Sequence, residues 1–150
     1  MSTLDRLTAD LTTALKARDT LRTSTLRQLI GAVRHEAKAG PVERELTEDD
    51  VLAVLAREAK KRRESAQIYA DAGAADRAAT ETAEADVVDE YLPTRLTQDE
   101  LVALVDAVVA DTGASSMKDM GAVMKEATAR AQGRADGKAL SALVRARLAG

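Results

Sequence analysis

The division of this chain is decided by the stretch VDEYLPTRLTQDELVALV, which occupies residues 88–105. Apolar residues at helical spacing stop just before Pro93, and a proline disfavours helical geometry at the residue that precedes it. Thr97 is followed three residues later by Glu100, which is the spacing of a capping box in front of the next apolar stripe. The stretch therefore predicts that one helical part ends and another begins near Pro93.

The N-terminal part, residues 1–92, carries four stripes of apolar residues at helical spacing. Ser2 and Thr47, each with an aspartate three residues later, have the capping spacing that starts the first and third helices. Gly40-Pro41 ends the second helix and Gly73 ends the third, because glycine and proline stop helices. With an alanine-rich fourth helix, this part is predicted to be an N-terminal helical domain of about four helices.

The C-terminal part, residues 93–150, is predicted to be a small three-helix domain. Gly113 ends its first helix, Ser116 with an aspartate three residues later starts the second, Gly133 ends the second, and Asp136 caps the last. No sustained alternating strand pattern occurs anywhere in the chain. The predicted fold class is therefore all-α.

The composition excludes several kinds of chemistry. Of 150 residues, 45% are hydrophobic and 1% aromatic, and Phe and Trp are absent, so the core must be aliphatic and stacking on nucleic-acid bases is nearly excluded. Cysteine is absent and His35 is the one histidine, which excludes disulfides, iron–sulfur clusters and any two-histidine metal site within one chain. His35 is predicted to face solvent. We expect no catalytic residue, no metal and no cofactor.

The charge is unevenly distributed. The net charge is −3 for the whole chain, and residues 1–92 carry 14 basic and 18 acidic residues, a balance of −4. From Lys118 to the end the count is 7 basic against 3 acidic, a balance of +4. The C-terminal end is therefore the basic end of the chain.

The sequence shows no export or membrane signal. Asp5 and Asp10 lie where a secretory signal needs an apolar segment. The longest apolar stretch, residues 101–110, is far short of the roughly 20 residues that span a bilayer. We expect a cytoplasmic protein with no membrane contact.

Two segments, a glycine-rich one and a basic one, are candidates for phosphate binding. The stretch Gly133-Arg-Ala-Asp-Gly-Lys138 is not a Walker motif, because it has three residues between its glycines and Ala139 after the lysine. It is a glycine-rich turn into a helix, where free N–H groups favour an anion, or where Asp136 itself satisfies those donors.

The second segment is the basic run Arg57-Glu-Ala-Lys-Lys-Arg-Arg-Glu64 of the predicted third helix. Arg62 and Arg63 flank the edges of that helix's apolar stripe. We favour the interpretation that they pair with carboxylates of the fourth helix over a second phosphate-contacting patch. The carboxylates in reach are Glu81, Glu84 and Asp89.

The candidate nucleic-acid contacts lie in the basic C-terminal part. Two lysines seven apart are predicted to share a ridge of the sixth helix, and two cations seven apart a ridge of the seventh. An arginine of the glycine-rich turn joins them. The candidate residues are Lys118, Lys125, Arg134, Lys138 and Arg145.

Several stretches together resemble the YqeY family. They are Glu58-Ala-Lys-Lys-Arg-Arg-Glu-Ser65, Glu90-Tyr-Leu-Pro93, Thr112-Gly-Ala-Ser-Ser-Met-Lys-Asp-Met-Gly121 and Gly133-Arg-Ala-Asp-Gly-Lys138. The resemblance runs over essentially the whole chain. Through Met120-Gly-Ala-Val-Met124 and the Gly133 to Lys138 turn, the chain is more distantly similar to the C-terminal helical and tail portion of GatB, a subunit of glutamine-dependent aminoacyl-tRNA amidotransferases. The GatB tail usually has an Asn-Pro pair where this chain has Asp136-Gly137.

The resemblance implies a binding module without an enzyme. The GatB tail contacts tRNA, whereas the catalytic chemistry of that carbon–nitrogen ligase, with glutamine as amido donor, belongs to other parts of the complex that this chain lacks. We therefore expect either a tRNA-binding module related to the amidotransferase pathway, or a helical adaptor that binds an amidotransferase or another protein and has no nucleic-acid role. An exposed apolar patch would favour the adaptor.

Overall fold

The computed structural model describes residues 1–149, and within that range every regular element is helical. The prediction of an all-α fold is therefore confirmed. No helix in this range is both long and apolar enough to cross a membrane. The elements in chain order are α1 (Thr3–Lys16), α2 (Thr20–Ala37), α3 (Glu48–Asp71), α4 (Ala75–Asp89), α5 (Gln98–Thr112), a 3₁₀ turn (Met117–Asp119), α6 (Met120–Ala131) and α7 (Gly137–Ala149).

Short-range hydrogen bonds set the helix starts at the predicted residues. At α1 the Ser2 hydroxyl accepts from Asp5 N at 3.1 Å, and the Asp5 carboxylate accepts from Ser2 N at 3.2 Å. Thr47 and Asp50 form the same reciprocal pair at α3, with distances of 3.1 and 3.0 Å. These bonds favour the ionised carboxylates and so lower the pKa of both aspartates. The Thr97 hydroxyl caps α5.

The sixth helix begins later than the sequence predicts. Ser116 and Asp119 form the expected capping box, but it encloses a 3₁₀ turn and the α-helix begins only after it. The Asp119 carboxylate accepts from Ser115 N at 2.9 Å and Ser116 N at 3.2 Å, which holds the turn in the tight i→i+3 pattern. Lys118 therefore precedes α6, and it does not share an α-helical ridge with Lys125.

Helices α1–α4 form a compact unit, Met1–Leu92. Its core is aliphatic, as the composition requires, and Tyr91 is the one aromatic side chain in its buried cluster. The α3 and α4 helices pack together more extensively than any other pair. The fully buried side chains of this unit include Leu7, Leu26, Leu29, Leu55 and Val88.

One charged side chain of this unit is buried, that of Arg62, of which 6% is exposed. Its Nη1 donates to Glu58 Oε2 at 2.6 Å and to the Glu58 carbonyl oxygen at 3.1 Å, and its Nη2 donates to Gln28 Oε1 at 2.6 Å. Its Nε lies 3.4 Å from Glu84 Oε2 but makes no hydrogen bond. A single guanidinium therefore links α2, α3 and α4.

The predicted pairing of the α3 arginines with α4 is observed. Arg62 pairs with Glu84, and Arg63 pairs with Asp89 and with Asp86, the latter at 3.6 Å. Among the described residues, Glu81 forms no ion pair; it lines the cleft beside Arg62. Because Arg62 is buried and bonded on both terminal nitrogens, it is not available to a phosphate.

The second compact unit is Pro93–Gly150, and its described part contains α5, the 3₁₀ turn, α6 and α7. The three α-helices pack against one another, and α7 also contacts the 3₁₀ turn. Gly113 adopts a left-handed conformation with φ 69° after α5, at the residue where the sequence predicts the helix end. The core side chains include Leu101, Val105, Val108, Val123, Ala127, Leu140 and Val144.

We predict that Arg62→Met lowers the free energy of unfolding by about 3 kcal/mol, because it leaves the poorly solvated Glu58 and Glu84 carboxylates without their cation. Arg63→Met is the matched control. Its ion pairs are solvent-accessible, since 42% of the side chain is exposed, and we expect a loss below about 1 kcal/mol. Urea unfolding followed by far-UV circular dichroism measures both, and equal losses would contradict the structural role of Arg62.

The division near Pro93 predicts where protease attack begins. Arg95 is exposed in the non-helical segment before α5, so we expect trypsin to cut there first and to release residues 1–95 as a stable fragment. Arg134→Ala should speed this cut, because the Arg134 Nε–H donates to the Thr94 carbonyl oxygen at 2.7 Å. First cuts inside the helices, with Arg95 protected, would argue against the division.

Candidate nucleic-acid interface

The five candidate cations all lie in the second unit, on different elements. Lys118 is in the 3₁₀ turn and Lys125 is on α6. Arg134 is in the turn between α6 and α7, Lys138 is in the first turn of α7, and Arg145 is farther along α7. Since α7 packs against both α6 and the 3₁₀ turn, the elements that carry these residues adjoin one another.

Four of the five cations are uncompensated. Lys118, Lys125, Lys138 and Arg145 are exposed, and none of them forms an ion pair within residues 1–149. The other arginines of α6 and α7 are paired, Arg130 with Asp111 and Glu126, and Arg147 with Asp106. These bonds also raise the pKa of Arg130, Glu126 being the larger cause. Among the cations from Lys118 to Arg147, the positive potential therefore concentrates on these four side chains.

Arg134 differs from the other four candidates because it is used within the fold. Its Nε donates to the Thr94 carbonyl oxygen, and its Nη2 lies 3.9 Å from Glu100 Oε2. Its own carbonyl oxygen accepts from Leu96 N at 2.8 Å. Arg134 thus fastens the segment before α5 to the turn before α7, a role that the sequence did not reveal.

The glycine-rich turn has the geometry of a helix start without a side-chain cap. Gln132 and Gly133 both adopt left-handed backbone angles, φ 50° and 74°, which end α6 and reverse the chain. Asp136 precedes α7, and its carbonyl oxygen accepts from Leu140 N at 3.0 Å. Its carboxylate makes no hydrogen bond within the described residues, so it does not satisfy the first N–H groups of α7 there.

The first unit contains a polar cluster around Tyr91 that could carry chemistry. The phenol donates to Asp10 Oδ2, accepts from Arg22 Nη2 at 3.4 Å, and Arg22 Nη1 pairs with Glu90 at 2.6 Å. The Arg6 guanidinium lies 5.0 Å from the ring centroid. Burial, and next the hydrogen bond to Asp10, raise the pKa of Tyr91, while the bond to Glu90 raises the pKa of Arg22. The phenol is therefore a protonated donor at neutral pH and a structural group.

The described residues contain neither a partnered histidine nor a group of metal-ligating side chains. His35 is exposed, as predicted, and it forms no side-chain hydrogen bond or ion pair in residues 1–149. No three His, Asp or Glu side chains of that range are grouped so that they could hold a metal ion. The Tyr91 cluster and the Arg134 bonds could not be predicted from the sequence, because the partners are 81 and 40 residues apart.

The Tyr91 cluster predicts a titration difference between the folded and unfolded states. In a Tyr69→Phe protein only Tyr91 contributes tyrosinate absorbance, and we expect its midpoint to be higher in the folded protein than in urea. Because the pKa of Tyr91 is raised in the folded state, its protonated phenol contributes fully to the free energy of unfolding below the ordinary tyrosine pKa of 10.0. This contribution is lost as the pH rises through the folded pKa. Asp10→Asn should lower the folded midpoint; equal midpoints in both states would contradict the cluster.

Comparison with protein families gives a match over both units. The family model described as Yqey-like protein matches residues 4–148. No curated protein matches the chain. The matched range contains the basic run of α3, the segment around Pro93, the 3₁₀ turn and the glycine-rich turn before α7. Because the match covers nearly the whole chain, this protein belongs to the Yqey-like protein family.

Proposed function

We propose that the chain is a non-catalytic tRNA-binding module, and that its C-terminal unit supplies the contacts. The observation that carries the proposal is a set of four exposed cations in the second unit that have no carboxylate partner within residues 1–149. They are Lys118, Lys125, Lys138 and Arg145. They lie in a segment with a balance of +4 in a chain whose net charge is −3.

A nucleic-acid backbone is the ligand chemistry that such a surface favours. Each phosphate that a lysine or arginine neutralises releases condensed counterions, which makes binding favourable at low salt. The elements that carry the four cations pack against one another in the second unit. The similarity of the α6 segment and the following turn to the GatB tail favours tRNA among nucleic acids, and we propose that the module acts in the cytoplasm.

Base recognition contributes little to the proposed binding. Both tyrosines belong to the first unit, where Tyr91 is buried and Tyr69 lies beside Arg77. The described part of the second unit therefore offers no aromatic ring on which a base could stack. Phosphate contacts position a protein on nucleic acid without reading its sequence. We therefore propose that the module binds different tRNAs alike.

The proposed module has no activity of its own. Glutamine hydrolysis or ATP consumption would need an activated nucleophile or a phosphate loop. The chain has no cysteine, its one histidine is exposed and without a partner in the described residues, and the glycine-rich turn departs from a Walker motif. An amidotransferase that binds the same tRNA would supply the chemistry, with this chain as an accessory.

The proposal predicts how tRNA affinity depends on salt. If about four phosphates are neutralised, the logarithm of the affinity should fall against the logarithm of the salt concentration with a slope of roughly −3 to −4. The variant Lys118→Glu/Lys125→Glu/Lys138→Glu should bind at least about tenfold more weakly at moderate salt and show a flatter slope. Filter binding of total tRNA at several salt concentrations measures both quantities.

The control for this experiment reverses three cations of the first unit. Lys60→Glu/Lys61→Glu/Arg77→Glu makes the same change in net charge at exposed residues that have no ion pair in the described range. We expect it to bind more tightly than the C-terminal variant, and all proteins must have the circular dichroism of the folded chain. Wild-type affinity in the C-terminal variant, or no salt-dependent binding at all, would refute the proposed function.

A further inference from the structure

A surface groove of about 400 Å³ lies between the end of α1 and the start of α2. Its accessible walls are mostly carbon, and one of them is Leu15, whose surface is 46% exposed. Gln28 lines the same groove and is fixed, because its Oε1 accepts from the buried Arg62 and its Nε2 donates to Ser24 Oγ at 3.3 Å. The groove is therefore open, its accessible surface is mostly carbon with Leu15 as its apolar residue, and Gln28 is held on one side by hydrogen bonds.

Uncompensated arginines border this groove. Arg18 and Arg27 line it and are exposed, and neither forms an ion pair within residues 1–149. Arg34, seven residues after Arg27 on the same face of α2, is also exposed and unpaired in that range. Asp19 lies at the rim, but its carboxylate caps α2 by accepting from Arg22 N at 3.1 Å.

The α2 helix has no acidic residue on this face. Its one acidic residue is Glu36, which lies about half a turn away from Arg27 around the helix. Glu36 is also occupied by Arg57 at 2.9 Å and by Arg44 at 3.8 Å. The groove therefore combines an apolar wall with a positive border in a unit whose overall balance is −4.

The chemistry of the walls decides between two classes of polyanion. A nucleic acid would place bases against the apolar wall, and bases bind there by stacking on aromatic rings. No aromatic residue lines the groove. An aliphatic side chain of a protein needs no ring, since it gains from the removal of apolar surface from water. Carboxylates beside such an anchor would pair with Arg18 and Arg27.

We propose that the groove between α1 and α2 docks an acidic segment of another protein, with an aliphatic side chain against Leu15 and carboxylates on Arg18, Arg27 and Arg34. This is an interaction surface beyond the proposed tRNA contacts, and it shares no residue with them. Through this surface, the N-terminal unit would act as a protein-binding adaptor. The two proposals therefore stand or fall separately.

A random-peptide display library, selected on the full chain, tests this proposal without assuming a partner. We expect the enriched peptides to be acidic and to carry Leu, Ile, Val or Met. Labelled synthetic copies should bind Arg18→Asn/Arg27→Gln about tenfold more weakly in fluorescence anisotropy, because two border charges are removed. Leu15→Ser should weaken binding about fivefold, because the apolar wall is lost. Arg18 has φ 56°, which asparagine adopts readily, so this substitution spares the backbone.

Matched controls separate this surface from the proposed tRNA interface. Lys118→Gln/Lys125→Gln removes the same charge from the second unit and should leave peptide affinity unchanged while lowering tRNA affinity. The Arg18→Asn/Arg27→Gln protein should retain tRNA binding. The proposal is overturned if no peptide is enriched, if the enriched peptides are not acidic, if the groove substitutions leave their affinity unchanged, or if those substitutions abolish tRNA binding and spare the peptides.

Discussion

The N-terminal unit is organised around one buried cation. Arg62 can enter the interior only if its charge is compensated, because an uncompensated buried charge is strongly destabilising. Its hydrogen-bond acceptors come from α2 and α3, through Gln28 and Glu58, and the Glu84 carboxylate of α4 adds an ion pair at 3.4 Å. Few other arrangements of these helices would bring a neutral amide and two carboxylates to the same guanidinium. The need to compensate Arg62 therefore restricts how α2, α3 and α4 pack together, and it also contributes to the free energy of unfolding.

The same constraint shapes the surface of that unit. Gln28 is held from beneath by Arg62 and also lines the groove between α1 and α2, so the buried network gives this groove a fixed side. On α3, the exposed arginines are neutralised by acidic neighbours, Arg57 by Glu36 and Arg63 by Asp89. On α2, by contrast, Arg27 and Arg34 have no such neighbours in the described residues. The unit is acidic on average and basic on one face.

Sequence reasoning succeeded where the signal was local. The hydroxyls of Ser2 and Thr47 and the left-handed Gly113 act within a turn of the chain, so the residues themselves set the helix limits. The predicted start of α6 was wrong. The spacing of Ser116 and Asp119 is the same for a capping box before an α-helix and for one that encloses a 3₁₀ turn, and the structure has the 3₁₀ turn. Sequence reasoning could not find the partners of Arg134 or Tyr91, because those contacts depend on how helices distant in sequence pack. In the candidate nucleic-acid interface, the positions of the cations could be predicted from the sequence, but which of them have partners within the fold could not.

Pairing also decides which cations are available to the two proposed surfaces. Charge counting treats Arg130 and Lys125 of α6 alike, yet Arg130 is neutralised by Asp111 and Glu126 while Lys125 has no such partner in residues 1–149. An unpaired cation attracts any anion, so charge alone does not choose between a phosphate backbone and an acidic protein segment. The neighbouring surface makes that choice. Where the cations border an apolar wall without an aromatic ring, as Arg18 and Arg27 do beside Leu15, burial of an aliphatic group adds to the ion pairs and a protein is the better ligand.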